Sequence, residues 1–185
     1  MFVIVKNSIA LNAGLEYSMT MIRPVSLGDS AAICGIYNYY VENSSCTFEE
    51  KIVQTGEMED RIRKISGQYP YLVSEDASGE INAFAYINTW KERSAYRFSA
   101  EISIYVKESC RGRGLGRELM ESLLNEIRKT NTHSIVAGIV VPNDSSIALH
   151  EKFGFRKIGQ FDEIGMKFNK WYDVGYWELI LRSYP

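Results

Sequence analysis

Residues 97–129 read RFSAEISIYVKESCRGRGLGRELMESLLNEIRK, and the fold turns on how that run is parsed. Arg97 to Val106 is a strand-like segment. Arg111-Gly112-Arg113-Gly114-Leu115-Gly116 is a basic, glycine-rich turn. Leu115, Leu119, Leu123, Leu124 and Ile127 then fall at the spacing of one helical face. Strand, glycine turn and helix in that order aim backbone N–H groups and the positive end of a helix dipole at an anion. The two arginines beside that row make phosphate or pyrophosphate the expected anion.

Two common phosphate motifs fail here. A P-loop needs Lys and then Ser or Thr after its second glycine, where this chain has Arg117-Glu118. Gly112, Gly114 and Gly116 alternate, which does not match the offsets of the dinucleotide fingerprint. A plain turn rich in left-handed backbone would also account for the glycines. The run does resemble the Arg/Gln-x-x-Gly-x-Gly/Ala pyrophosphate loop of the GNAT N-acetyltransferases, which bind acetyl-CoA. A second segment, Val140 to Phe155, is similar to that family's fifth strand and following helix, with Asn143 as cap, Ser145 and Ser146 in the first turn and Gly154 as stop. Tyr69 to Val73, Trp90 to Tyr96, Glu101 to Val106 and Trp171 to Trp177 narrow the resemblance to phosphinothricin and methionine sulfoximine N-acetyltransferases, over roughly Met21 to Leu181.

Bulk properties bound the answer independently. A chain of 185 residues is the size of one domain, with 45% apolar and 24% charged residues. A net charge of −2 offers no excess of Lys and Arg for general nucleic-acid binding. Cys34, Cys46 and Cys110 cannot all pair and show no metal-ligand spacing, so a reducing cytoplasm and no metal are expected. No apolar run reaches membrane-spanning length. Residues 1–20 read as a weakly structured extension rather than a signal peptide, and Met19 or Met21 would serve equally as start. Residues 21–185 read as a single domain.

In order, the expected elements are a strand at Ile22 to Val25, a helix from Asp29 to Glu42, a helix from Thr55 to Gln68, and a hairpin of Tyr71–Glu75 with Ile81–Ile87. The central strand and helix come next, then a strand from Ser134 to Val140, a strand starting at Phe155 to Gly159, and a last one from Tyr172 to Leu181. The resemblance implies an α/β fold with a mixed, mostly antiparallel sheet of about seven strands flanked by about four helices.

N-acetylation needs a held thioester, a deprotonated amine and a place for the charge on the departing thiolate. The resemblance implies that the diphosphate is held by Arg111, Gly112, Arg113, Gly114, Leu115, Gly116 and Arg117, and the pantetheine arm by the backbone of Ile104, Tyr105 and Val106. It adds Asn143, Ser145, Ser146 and Lys152 to the cofactor set. An N–H at Ile104 could polarise the thioester carbonyl.

Glu101 stands within an apolar strand-like run, where a half-buried carboxylate has a raised pKa and suits proton removal. Its other reading is a glutamate on a solvated strand face. His150 stands where many relatives carry a thiolate-protonating Tyr. It could donate that proton or only hydrogen-bond the sulfur, or be a surface histidine. Cys110 beside two arginines raises an acyl-cysteine route, against which the family transfers acetyl directly.

For the acceptor, Lys91, Arg93, Tyr96 and Arg97 supply cations and an aromatic suited to an amino-acid carboxylate and a second polar end. Phe48 and Ser103 join them as pocket candidates, with core packing the alternative for Phe48. The expected activity is acetyl transfer to the α-amine of a small glutamate- or methionine-like compound, the expected assembly a homodimer. Two readings compete: a non-catalytic acyl-CoA sensor, and an acetyltransferase for another amine or for protein.

Overall fold

The structure, a computed structural model, describes residues 20–181. Almost all of the expected extension at residues 1–20 lies outside the described residues. One seven-stranded sheet organises the rest, in the order β1-β2-β3-β4-β5-β7-β6. Its strands are β1 (Met21–Pro24), β2 (Tyr71–Glu75), β3 (Ile81–Thr89), β4 (Ser99–Val106), β5 (Ser134–Val141), β6 (Arg156–Lys167) and β7 (Lys170–Ile180). All neighbours are antiparallel except β4 and β5, which run parallel. Four helices cover it: α1 (Ser30–Asn43), α2 (Thr55–Ser66), α3 (Leu115–Ile127) and α4 (Asp144–Lys152).

The apolar stripe of α3 is fully buried at Leu119, Met120, Leu123 and Ile127. It lies on Ala83, Ala85, Ile87, Ala100, Ile102 and Ala137, where alanines let the helix approach the sheet. Burial of each such Leu or Ile contributes about 1.5–3 kcal/mol. On the opposite face Ile33, Ile36 and Tyr37 of α1 and Met58, Ile62 and Ile65 of α2 pack on Tyr71, Val73 and Phe84. Both faces of the central strands are therefore covered, and β4 sends alternate side chains to each.

Most expected boundaries shift by one or two residues, the second helix ending at Ser66 and the last strand spanning Lys170–Ile180, and three of the shifts stand out. The first helix starts at Ser30, because the Asp29 carboxylate is engaged before it. It accepts from Ser26 N (2.7 Å) and Ser26 Oγ (3.0 Å) and pairs with Arg23 (2.8 Å), closing a 3-10 turn at Leu27–Asp29. β3 runs on to Thr89, paired with Ala100. β6 extends to Lys167, beyond where its apolar pattern fades, because it is an exposed edge strand. Its register breaks around Lys157/Gly159 and Phe161/Gly165, and Glu163 takes φ 48° in the second break.

The parallel pair opens the sheet. β4 and β5 are hydrogen-bonded partners only at Ser99–Ser134, Ala100–Ile135 and Glu101–Val136. Beyond Glu101 each strand keeps its outer neighbour: β4 stays on β3 to Val106, and β5 stays on β7 to Val141. A wedge therefore forms in the middle of the sheet with Glu101 at its apex.

Candidate active site

Gly112 (φ 75°) and Gly114 (φ 88°) take left-handed backbone that places the turn ahead of α3. Among the described residues, nothing accepts from the amide N–H groups of Gly112, Arg113, Gly114, Leu115 and Gly116. The Arg111 amide is used, on Glu108 O (3.2 Å). Five free donors at the N-terminus of α3, those of Gly112, Arg113 and Gly114 in a water-exposed turn, suit an anion. The guanidinium of Arg111 pairs with Glu108 (3.1 Å), that of Arg113 donates to Ser109 O (2.9 Å), and Arg117 is exposed on the first turn of α3.

The cradle adjoins the wedge. A Cβ on Gly116 would touch Val106 of β4 and Leu149 of α4, so the two helices and the strand meet there. Asn143 caps α4, its Oδ1 accepting from Ser146 N and from Ser145 Oγ, both at 3.2 Å. Ser145 and Ser146 therefore sit in the first turn, while Lys152 is exposed at the opposite end of that helix. Along β4, Ile104 and Val106 pack toward α3 and α4. The Tyr105 ring turns the other way, onto Tyr37 (5.2 Å) and Phe84 (5.1 Å). The edge of β4 that faces β5 presents its backbone to the wedge from Ile102 onward.

Glu101 points to the same face as Tyr105. It is half-buried, and a Cβ at Gly138 would stand 3.4 Å from its Oε1 and 3.4 Å from the ring of Tyr176. Burial pushes the Glu101 carboxyl above the ordinary glutamate range, and the Lys91 ammonium pulls in the opposite direction. Burial also raises the Tyr176 phenol, with a further contribution from Glu101. The Trp90 indole (5.8 Å) and the Phe161 ring (5.6 Å) pack edge-on against the Tyr176 ring that borders the carboxylate. Lys91 lies over Trp90 at 4.7 Å. Ser103, two residues along β4, is the cross-strand partner of Tyr86, whose phenol burial pushes up and Ser103 pulls down.

The other expected acceptor residues separate. Phe48 is 37% exposed, its ring 6.4 Å from Tyr172 and filling the space beside Gly165. Arg93, Tyr96 and Arg97 lie exposed in and around the 3-10 turn Ser94–Tyr96. Arg97 donates to Ser94 O (3.1 Å) and covers the Phe98 ring (4.3 Å). Of that group only Lys91 acts on Glu101.

His150 is 94% buried, the complement of its 6% exposure. Its Nδ1 lies 2.8 Å from Ser146 O, and a carbonyl only accepts, so Nδ1 carries the proton. Phe155 packs against the ring edge-on at 5.1 Å. Burial holds the imidazole pKa below its usual value, the Ser146 bond opposing. A neutral ring with this tautomer offers a lone pair at Nε2. Cys110 is buried with Sγ donating to Asn82 Oδ1 (3.2 Å), enclosed in the α3-side core. Among the described residues no cluster of three or more His, Cys, Asp or Glu could hold a metal.

Gly138, Tyr176 and Lys167 carry no motif of their own in the sequence. A glycine inside the apolar run Ser134 to Val141 does signal a close approach. Tyr176 belongs to the aromatic run Trp171 to Trp177, which forms part of β7.

Comparison with known proteins agrees with this geometry. Residues 22–175 match the family described as acetyltransferase (GNAT) domain. The chain is 36% identical over 157 residues to the phosphinothricin N-acetyltransferase of Streptomyces viridochromogenes, covering 85% of each protein. It is 35% identical over 165 residues to the L-methionine sulfoximine/L-methionine sulfone acetyltransferase of Salmonella typhimurium, covering 86% of this chain and 94% of that one. A GNAT superfamily phosphinothricin acetyltransferase of Sinorhizobium meliloti, solved in complex with acetyl-CoA, superposes with a TM-score of 0.85 at 33% identity, covering 88% of each chain.

Proposed function

Because the chain belongs to the GNAT acetyltransferase family, we propose that it carries acetyl from acetyl-CoA to the α-amino group of a small amino acid of the phosphinothricin, methionine sulfoximine or methionine sulfone type. It is an N-acetyltransferase, and acetyl-CoA is its cosubstrate. The observation that carries the reading is spatial: five unpartnered amides at the start of α3 adjoin a wedge in the sheet whose apex is Glu101.

The chain's own groups divide the work. The amides of Gly112 to Gly116, with Arg111, Arg113 and Arg117 around them, suit a diphosphate. The exposed backbone edge of Ile104 to Val106 suits the amides of a pantetheine arm, and Asn143, Ser145 and Ser146 flank its other side. That arm supplies an acetyl thioester, and an N–H at Ile104 would polarise its carbonyl. An α-amine with pKa near 8 is mostly protonated at neutral pH, so attack requires proton removal. Glu101 takes that proton, directly or through a water. Lys91 would meet the acceptor carboxylate, with Trp90 and Tyr176 as walls beside Glu101 and Phe48 as a wall farther along β7, next to Tyr172. With Nδ1–H committed to Ser146 O, the neutral His150 ring offers only an acceptor at Nε2, so it can serve the departing sulfur only once Nε2 or that sulfur carries a proton.

We also infer a homodimer through the β6–β7 hairpin, where Ile158, Phe161, Ile164, Met166, Phe168 and Trp171 are each more than half exposed. Light scattering on the protein and on Met166→Glu checks this; a monomeric parent refutes it. Three free cysteines favour a reducing, cytoplasmic setting, and no helix among the described residues is long and apolar enough to cross a membrane.

Thiol release from acetyl-CoA with methionine sulfoximine, methionine sulfone and phosphinothricin side by side tests the activity. Turnover with at least one supports it. Acetyl-CoA binding without thiol release on any amine would instead mark a sensor.

A further inference from the structure

Lys167 is only 2% exposed, and no carboxylate pairs with it among the described residues. Its ammonium is met by three main-chain carbonyls instead: Ser44 O at 2.8 Å, Thr47 O at 2.9 Å and Tyr40 O at 3.4 Å. An ammonium has three donors and no acceptor, so three converging carbonyls match it. Tyr40 lies in the last turn of α1, where the helix dipole is negative and a cation is favoured. Ser44 and Thr47 belong to the connection after that helix. A leucine would fill the same volume, but only a long cation joins three carbonyls of one segment to a hairpin far away in sequence.

What this joint holds bears on the site. Thr47 precedes Phe48, whose ring occupies the space a side chain on Gly165 would need and lies near Tyr172. Cys46, in the same connection, receives Asn143 Nδ2 at 3.5 Å, at the cap of α4. Tyr40 Oη donates to Val106 O (2.5 Å), at the end of β4. The segment therefore touches β4, the start of α4 that follows β5, and the β6–β7 hairpin, on the α1 side of the sheet.

We propose that Lys167 is a positioning residue for acetyl transfer: through the carbonyls of Tyr40, Ser44 and Thr47 it holds residues 44–49, with Phe48, as the acceptor-side wall of the cleft. This inference rests on reading the cleft beside Glu101 as the acceptor site. Lys167 touches no reacting atom, and its effect falls on acceptor binding and alignment while the diphosphate cradle, built on a different turn, is untouched.

Steady-state kinetics with both substrates varied, on Lys167→Met, Lys167→Gln, Phe48→Ala and the Lys167→Met/Phe48→Ala double variant, test it, with thermal melting as a check on folding. Lys167→Met is expected to lower kcat/KM for the acceptor by about ten- to a hundredfold and to raise KM for acetyl-CoA by less, since of the cofactor groups the segment meets only Val106 O and Asn143. In the Phe48→Ala background the Lys167 substitution is expected to add little, since both act through one wall. Lys167→Gln, which keeps a donor, falls between. Equal losses toward both substrates, or fully additive losses in the double variant, overturn the proposal. So does failure of both Lys167 variants to fold, which would assign the residue to stability alone. Unchanged acceptor kinetics in Phe48→Ala would take Phe48 out of the wall and overturn this proposal, while the Glu101 cleft stands or falls with Glu101→Gln. A defective Phe48→Ala beside normal Lys167 variants would refute only the positioning role.

Discussion

Replacing Glu101 with glutamine tests the proposed chemistry with little change of shape. The amide oxygen can sit where Oε1 now lies, beside the open Cα of Gly138 and the ring of Tyr176, so the walls stay in place. What disappears is a proton acceptor that burial has made more basic than an ordinary glutamate. A positioned general base contributes about 10²–10⁴-fold, or roughly 3–5 kcal/mol of barrier. At pH 7 an α-amine with pKa near 8 is about one-tenth neutral, and the variant must draw on that fraction. Raising the pH to about 9 frees nearly all the amine, so about tenfold of the deficit should be recovered and the remainder retained. Thiol-release assays across pH measure the ratio of variant to parent, and calorimetry should give the same acetyl-CoA affinity for both. Turnover equal to the parent at every pH would remove Glu101 from the mechanism. Lost acetyl-CoA affinity would show that the residue supports the wedge instead.

Other perturbations act on single contacts. Lys91→Met removes the cation that pulls the Glu101 pKa down, so the acid limb of the kcat/KM profile should move to higher pH; a shift to lower pH contradicts the placement. Gly114→Ala adds a Cβ into open space, so its whole effect is backbone strain at φ 88°, about 1–2 kcal/mol. Acetyl-CoA should bind about tenfold more weakly by calorimetry, and Gly114→Asn, which tolerates that conformation, should recover part of it. The lowered pKa of His150 makes the unfolded chain the better proton binder, so its contribution to stability is present above about pH 6.5 and lost as pH falls toward the folded value. Melting temperature should decline below pH 6.5, and His150→Gln should flatten that decline. Arg23→Met strands the buried Asp29 and should cost about 3 kcal/mol, lowering the melting temperature by roughly 6–12 °C.

Local signals are legible in the sequence where one element decides the outcome. The α3 stripe, the Asn143 cap and the left-handed glycines before α3 need only nearest neighbours to form, and each is found. The wedge is different. No spacing in Ser99 to Val106 or Ser134 to Val141 states that the two strands pair for three residues and then part, since that depends on the outer neighbours each strand keeps. Arg93, Tyr96 and Arg97 carry suitable chemistry for an acceptor, but sequence proximity to Lys91 does not say which way each points. A 3-10 turn leaves them in solvent. Lys167 reads as one more charge in a polar hairpin, because its partners stand more than a hundred residues away.

The central strand explains why cofactor and acceptor can share one sheet without competing. Along β4, Ala100 and Ile102 point into the α3-side core, while Glu101, Ser103 and Tyr105 point to the α1 side, so in the proposed reaction the acceptor would be met by side chains. The cosubstrate would be met by the backbone edge that faces the wedge, a direction perpendicular to both. These roles coexist only in one register. Pairing of Asn88 with Glu101 and of Ile87 with Ile102 fixes it, since a slip of one residue would turn Glu101 into the α3 core and present alanine or isoleucine to the amine. Such a slip would bury a carboxylate among Leu119, Leu123 and Ile135 without a partner, a cost of several kcal/mol. The same alternation that packs the sheet therefore also keeps the base in the cleft.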